Sequence, residues 1–159
     1  RSSAASDVYK RQMRDDPEET IGIVLVHDAA RCFAPAELFS TVTERVRTIM
    51  SQNVAAGVVP ALPVVDTIKM VDSSGNVLGT PDRTRLRRVQ TPQGFDAKLL
   101  WTLHQEARKE GLSTTDDAAL LEKFQFGVAT VPGDEKALKI TTPTDLRLAQ
   151  FIMEEDAEG

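Results

Sequence analysis

An α/β domain, built on a mostly parallel sheet from which one β-hairpin projects, is the fold this sequence predicts, and three observations carry it. Ile21 to Val26 is an aliphatic run without polar alternation, the pattern of a strand covered on both faces. A helical repeat and a second apolar run, Ala55 to Leu62, follow it, making a strand-helix-strand unit. From Val64 to Leu78 the pattern becomes a loose alternation around Ser73-Ser74-Gly75-Asn76, which reads as a hairpin leaving the sheet.

Composition sets the class. The chain has 159 residues, 41% apolar and 27% charged, which is ordinary for a globular protein and enough for one domain with its own core. The net charge of −5 argues against a nucleic-acid partner held by bulk electrostatics. A single cysteine, Cys32, excludes an internal disulfide framework and fits a reducing compartment, so a cytoplasmic location is expected. No apolar run reaches the roughly 18 residues that cross a bilayer, and no membrane partner is expected.

The elements follow in order. Residues 1–12 are small and polar without period and read as a non-native leader, with the native sequence beginning near Met13 and a charged lead-in to Thr20. Pro35 suits a first helical turn, and Leu38, Val42, Val46 and Ile49 repeat at helical spacing to about Gln52. The second strand ends at Pro60 to Pro63. After the hairpin, Leu86 to Thr91 reads as a short strand broken by Pro92. Asp96 caps a helix from Ala97 to Glu110 with Leu99, Leu100, Leu103 and Ala107 inward and Gly111 as its stop. Thr114 or Thr115 caps the next helix, Val128 to Val131 is a buried strand, and Ile140 ends a further short one. Thr142-Pro143-Thr144-Asp145 starts the last helix, carried inward by Leu146, Leu148, Ala149 and Ile152.

The polar residues sit at the ends of these elements. His27, Asp28 and Arg31 come straight after the first strand, at the carboxyl edge where ligands of open α/β sheets bind. Asp28 is a hard oxygen ligand suited to Mg²⁺, and the guanidinium of Arg31 is suited to phosphate. An equal alternative is that Asp28 caps a turn and pairs with Arg31 at the surface. Asp66 and Lys69 lie on the hairpin, Arg83, Arg85, Arg87 and Arg88 cluster at its return, and Lys139 ends a strand beside Thr141 and Thr142. Taken singly, each fits a solvated charge or a helix cap.

Their order along the chain resembles the 2-C-methyl-D-erythritol 4-phosphate cytidylyltransferase family. The matching strings are Val26-His27-Asp28-Ala29-Ala30-Arg31, Pro63-Val64-Val65-Asp66-Thr67-Ile68-Lys69, Gln90-Thr91-Pro92-Gln93-Gly94-Phe95, Thr115-Asp116-Asp117-Ala118, Gly133-Asp134 and Lys139-Ile140-Thr141-Thr142-Pro143. The resemblance implies a Rossmann-like nucleotidyltransferase sheet with a protruding arm at about 64–88, within a partial domain at 13–159. It implies transfer of CMP from CTP to methylerythritol phosphate with release of pyrophosphate, on Mg²⁺ or another divalent cation. In that reading Asp28 holds the metal and, with Lys139, carries the catalysis; Arg31 shares their cleft. Thr67 and Arg83 bind the sugar phosphate across a homodimer interface formed by the arm, Thr115 offers a substrate-side hydroxyl, and Thr91 and Gln93 line the pocket. Asp66 and Asp117 would orient neighbouring groups.

The sequence departs from the family at Cys32, where proline is common, at Ala137, where many members have asparagine, and in lacking the family's glycine-rich triphosphate loop ahead of Val26. The chain therefore reads as a carboxyl-terminal part, truncated at its N-terminal strands, marginal in stability and inactive toward CTP by itself. Two alternatives stay open: a ribitol 5-phosphate cytidylyltransferase, and a non-catalytic sugar-phosphate-binding or dimerisation module.

Overall fold

The computed structural model describes residues 11, 15 and 20–158. The expected leader at 1–12 lies outside the described residues apart from Arg11, as does most of the lead-in.

The described chain runs β1 (Ile23–Val26), α1 (Ala36–Gln52), β2 (Gly57–Pro63), β3 (Met70–Val71), β4 (Val77–Gly79), a 3-10 turn (Arg83–Arg85), β5 (Arg87–Val89), β6 (Gln93–Asp96), α2 (Ala97–Lys109), α3 (Asp117–Lys123), β7 (Val128–Pro132), a second 3-10 turn (Glu135–Ala137) and α4 (Pro143–Glu158). β1, β2, β5, β6 and β7 form the main sheet, and β3 pairs with β4 in a separate two-stranded ribbon. The hairpin expectation holds, with Asp72 accepting from the amides of Ser74 and Asn76 at 2.9 Å in its turn.

The parallel character of the sheet needs correcting. β1 and β2 point the same way, as a strand-helix-strand unit requires, but β6 runs antiparallel between them. Among the described residues the parallel ladder is β2 with β7, Gly57 opposite Val128 through Ala61 opposite Pro132. β5 continues antiparallel along the end of β2. Gln93–Asp96 carries a glycine and two polar residues, so it reads as loop, yet Gln93, Gly94 and Phe95 are buried. Gly94 explains why. A Cβ there would lie 2.6 Å from Val42 Cγ1 and 2.7 Å from Val46 Cγ2, so its absence lets α1 close onto the sheet.

Two cores result. Val42, Val46 and Ile49 of α1 pack with Val58 and Val131 on one face. Leu100 and Leu103 of α2 and Leu120 and Leu121 of α3 pack with Val59 and Phe95 on the other. β1 feeds both, Ile23 and Leu25 to the first and Val24 and Val26 to the second. Its four residues are only half-buried, because β1 is the edge strand of the described sheet and not the fully covered strand its composition implies.

Other boundaries shift for local reasons. Asp116, whose carboxylate accepts from the Ala119 amide at 2.8 Å, caps α3 in place of Thr114 or Thr115. Ile140 ends no strand; its amide makes a single bond to the Ala30 carbonyl at 2.9 Å after the second 3-10 turn. In α1, Pro35 is the cap and not the first helical residue. In α4, Ala149 and Ile152 are buried as expected, but Leu146 and Leu148 are about half-exposed, at 52% and 50%. Leu99 of α2 is likewise only partly buried.

Candidate active site

Three loops meet at one end of the sheet. One leaves β1, one enters β6, and one leaves β7, and because β1 and β7 both run parallel to β2, their carboxyl ends lie at the same edge. Each loop supplies one of the expected residues.

Asp28 comes from the first loop. Its Oδ2 lies 2.7 Å from Lys139 Nζ of the third, and the two side chains are 36% and 46% exposed. Its amide donates to Thr91 Oγ1 of the second loop at 2.9 Å, and that hydroxyl also lies 3.0 Å from His27 Nδ1. Thr91 thus ties the β1 exit to the β6 entrance. His27 packs against the Phe39 ring of α1, with centroids 4.9 Å apart.

Arg31 lies beside them, but its guanidinium is engaged with main chain. Nη1 donates to the Ala137 carbonyl at 2.7 Å and Nη2 to the Val89 carbonyl at 3.4 Å, and Nε is buried without a partner among the described residues. Burial lowers the Arg31 pKa from its ordinary value, against the opposing attraction of the Asp28 carboxylate. The expected surface pairing of Asp28 with Arg31 is therefore replaced by a pairing with Lys139. Arg31 and Lys139 line a cavity of about 290 Å³ with Leu62, Arg88, Gln90 and Glu135. Arg88 is held toward Glu135 at 3.1 Å on its rim.

The remaining expected residues lie apart. Arg83 sits on the arm, its Nη1 donating to the Val65 carbonyl at 2.6 Å, and Thr67 is exposed on the same arm. Thr115 is exposed just before α3. Among the described residues no hydrogen bond or ion pair joins Thr67, Arg83 or Thr115 to Asp28, Arg31 or Lys139. Gln93 is buried and donates to Asp116 Oδ2 at 3.0 Å, linking the start of β6 to the cap of α3. Asp117 is buried and lies 2.8 Å from His104 Nε2, inside the α2–α3 contact.

Gln90 opens one of the matching strings but carries no role in the sequence reading. It is 4% exposed and its amide spans to the third loop, yet it sits beside three arginine-flanked or exposed positions that mask it as part of a surface strand. Its signal in the sequence is its place at the head of the Gln90-Thr91-Pro92-Gln93-Gly94-Phe95 string.

Among the described residues, no group of three or more His, Cys, Asp or Glu is placed to hold a metal. The expected donor is the Asp28 carboxylate, one oxygen of which faces Lys139, while the Glu135 carboxylate of the neighbouring cavity is paired with Arg88. Such a donor suits a hard cation completed by water and substrate phosphate and does not suit a closed protein cage.

This arrangement can be set beside known proteins. The family model described as "IspD: 2-C-methyl-D-erythritol 4-phosphate cytidylyltransferase" matches residues 13–155. The 2-C-methyl-D-erythritol 4-phosphate cytidylyltransferase of Microcystis aeruginosa is 51% identical over 130 residues, covering 82% of this chain and 55% of that protein. Among solved structures, the enzyme of that name from Thermus thermophilus superposes with a TM-score of 0.75 at 36% identity, over 91% of this chain and 67% of that one. The 4-diphosphocytidyl-2C-methyl-D-erythritol synthase of Anaerococcus prevotii does so with a TM-score of 0.81 at 29% identity, over 97% and 65%. The chain spans about half the length of the curated relatives it matches. With the family model running from Met13 into α4 and the relatives sharing the same sheet, the chain belongs to the 2-C-methyl-D-erythritol 4-phosphate cytidylyltransferase family.

Proposed function

We propose that this chain carries the acceptor side of a cytidylyltransferase that moves CMP from CTP to 2-C-methyl-D-erythritol 4-phosphate. The observation that carries this reading is the Asp28–Lys139 pair at 2.7 Å, an anion and a cation presented together where the carboxyl ends of β1 and β7 converge. An oxygen of the acceptor phosphate forms a bond to the α-phosphorus of CTP as the bond from that phosphorus to the bridging oxygen breaks, and pyrophosphate leaves. No protein nucleophile is needed, so the chain contributes position and positive charge. Lys139 meets the acceptor phosphate as a point charge, and Arg31 holds the wall of the same cavity. Asp28 would hold Mg²⁺ or another divalent cation, which would supply charge neutralisation at the nucleotide phosphates. Thr91 fixes the backbone of Asp28, so the carboxylate is aimed before substrate arrives.

The arm serves a homodimer in this reading. Val65, Ile68, Met70, Val71, Val77 and Leu78 are all exposed on it, an apolar surface that a second copy would cover, bringing its Thr67 and Arg83 to the neighbouring cleft. Thr115, exposed just before the Asp116 cap of α3, offers a substrate-side hydroxyl in this reading. The exposed free thiol of Cys32 supports a reducing, cytoplasmic setting. No helix among the described residues is long and apolar enough to cross a membrane.

The test is pyrophosphate release from CTP by this sequence within a protein of its relatives' length, with methylerythritol phosphate or ribitol 5-phosphate as acceptor. Release with methylerythritol phosphate is expected. Equal or faster release with ribitol 5-phosphate would assign the other acceptor.

A further inference from the structure

We infer that Gln90 is a positioning residue for Lys139. The loop from Gly133 to Ile140 must deliver the Lys139 ammonium to Asp28, and it has little regular structure to do so beyond one 3-10 turn at Glu135–Ala137. The Gln90 side chain supplies what is missing. Its Nε2 donates to the Asp134 carbonyl at 2.7 Å and to the Ala137 carbonyl at 3.2 Å, while its Oε1 accepts from the Asp134 amide at 3.0 Å. All the hydrogen-bonding directions of a primary amide but one acceptor lone pair are thus committed to one short loop. Gln90 itself is fixed to the sheet by its amide, which donates to the Pro60 carbonyl at 2.8 Å.

Two further contacts make the clamp specific. Arg31 Nη1 donates to the same Ala137 carbonyl at 2.7 Å, so the exit of β1 and the end of β5 hold one point of the loop, two residues before Lys139. Gly133 meets the Gln90 side chain so closely that a Cβ there would fall inside contact distance of Oε1. Removing the amide of Gln90 leaves the Asp134 amide without its acceptor in a part-buried site, a loss that a loop cannot absorb without moving.

The role rests on the reading of Lys139 as a phosphate ligand, but its test uses neither nucleotide nor acceptor, so the two fail separately. In this chain, Gln90→Leu should speed exchange of the Asp134 and Ala137 amides by about tenfold or more, on the scale of losing hydrogen bonds to a buried amide. The Lys139 Nζ resonance in ¹⁵N-lysine-labelled protein should move toward the position it takes in Asp28→Asn, while exchange at Val58, Val59 and Phe95 stays at the wild-type rate. Gly133→Ala, which pushes the same contact from the loop side, should give the same signature and serves if Gln90→Leu does not fold. An unmoved Lys139 resonance with unchanged exchange at Asp134 would overturn the assignment. So would changes that occur only together with loss of protection at Val58 and Phe95.

Discussion

Lys139 Nζ and Asp28 Oδ2 stand 2.7 Å apart, one delivered by the loop after β7 and the other by the loop after β1. Both side chains are more than a third exposed, so their mutual attraction is screened and stabilises the fold by about 1 kcal/mol or less. A pair that contributes so little to folding is free to be exchanged for pairs with a ligand. Asp28→Asn should therefore leave the thermal midpoint close to wild type. In a protein of the relatives' length it should reduce turnover by roughly two orders of magnitude or more, the scale of losing a preorganised electrostatic group. Near-normal turnover at limiting Mg²⁺ would remove Asp28 from the site.

Gly94 gives a prediction about packing. Its missing Cβ leaves room for Val42 and Val46, whose methyl groups would stand 2.6 and 2.7 Å from it. Gly94→Ala forces α1 away from β6 and should cost about 1–3 kcal/mol, measured by urea unfolding, with no comparable cost for Gly22→Ala, where a Cβ meets nothing. Equal stability of the two variants would refute this account of β6.

Acid should loosen the start of α4. The Thr141 and Thr142 amides and the Thr141 hydroxyl donate to Asp145 Oδ2, holding its pKa down from 3.8 to about 2. The folded pKa lies below the unfolded one, so the stabilisation is present above 3.8 and is lost as pH falls toward about 2. The protection of the Thr141 and Thr142 amides relative to their intrinsic exchange rates should fall as pH drops across that window in wild type, because they lose their acceptor when Asp145 is protonated. Asp145→Asn should abolish this pH dependence, and its persistence in that variant would place the effect elsewhere.

The arm prediction concerns assembly. Val71 and Leu78 are 54% and 67% exposed on the two strands of the ribbon, away from both cores. The double change Val71→Glu and Leu78→Glu should shift the mass measured by light scattering to that of one chain while leaving helical content unchanged. A wild-type chain that is already single at the same concentration would end the dimer proposal. Shared sites make a second, independent demand in a protein of the relatives' length. Asp28→Ala mixed with Arg83→Ala should recover about a quarter of wild-type activity if the two residues meet across a two-fold axis, and none if they act in one chain.

Much of this was legible in the residues because burial and periodicity coincide there. Leu38, Val42, Val46 and Ile49 are all buried in α1, Asp96 caps α2 through the Leu99 amide at 2.8 Å, and Asp145 reaches back to Thr141 and Thr142. Asp28 and Lys139 stand out in the sequence through the order of the motifs that carry them, since each taken singly also fits a solvated charge, and Lys139 lies in a loop beyond β7 and not at a strand end. β6 was not legible, since Gln93 and Gly94 are chosen by what packs on them, a helix and the Asp116 carboxylate, and not by strand propensity. Gln90 was hidden for the same reason: its three bonds go to a loop far along the chain, and no local pattern records them.

The central claim is that the Asp28–Lys139 cleft receives an anionic sugar-phosphate acceptor, and titration of the ¹⁵N-labelled chain with 2-C-methyl-D-erythritol 4-phosphate tests it most directly. Saturable shifts are predicted at the amides of Asp28, Arg31, Thr91 and Lys139, lost in Lys139→Ala and retained in Lys123→Ala, whose lysine lies at the end of α3 outside the cleft. Absence of shifts at these amides up to millimolar acceptor, or shifts unchanged by Lys139→Ala, would contradict it.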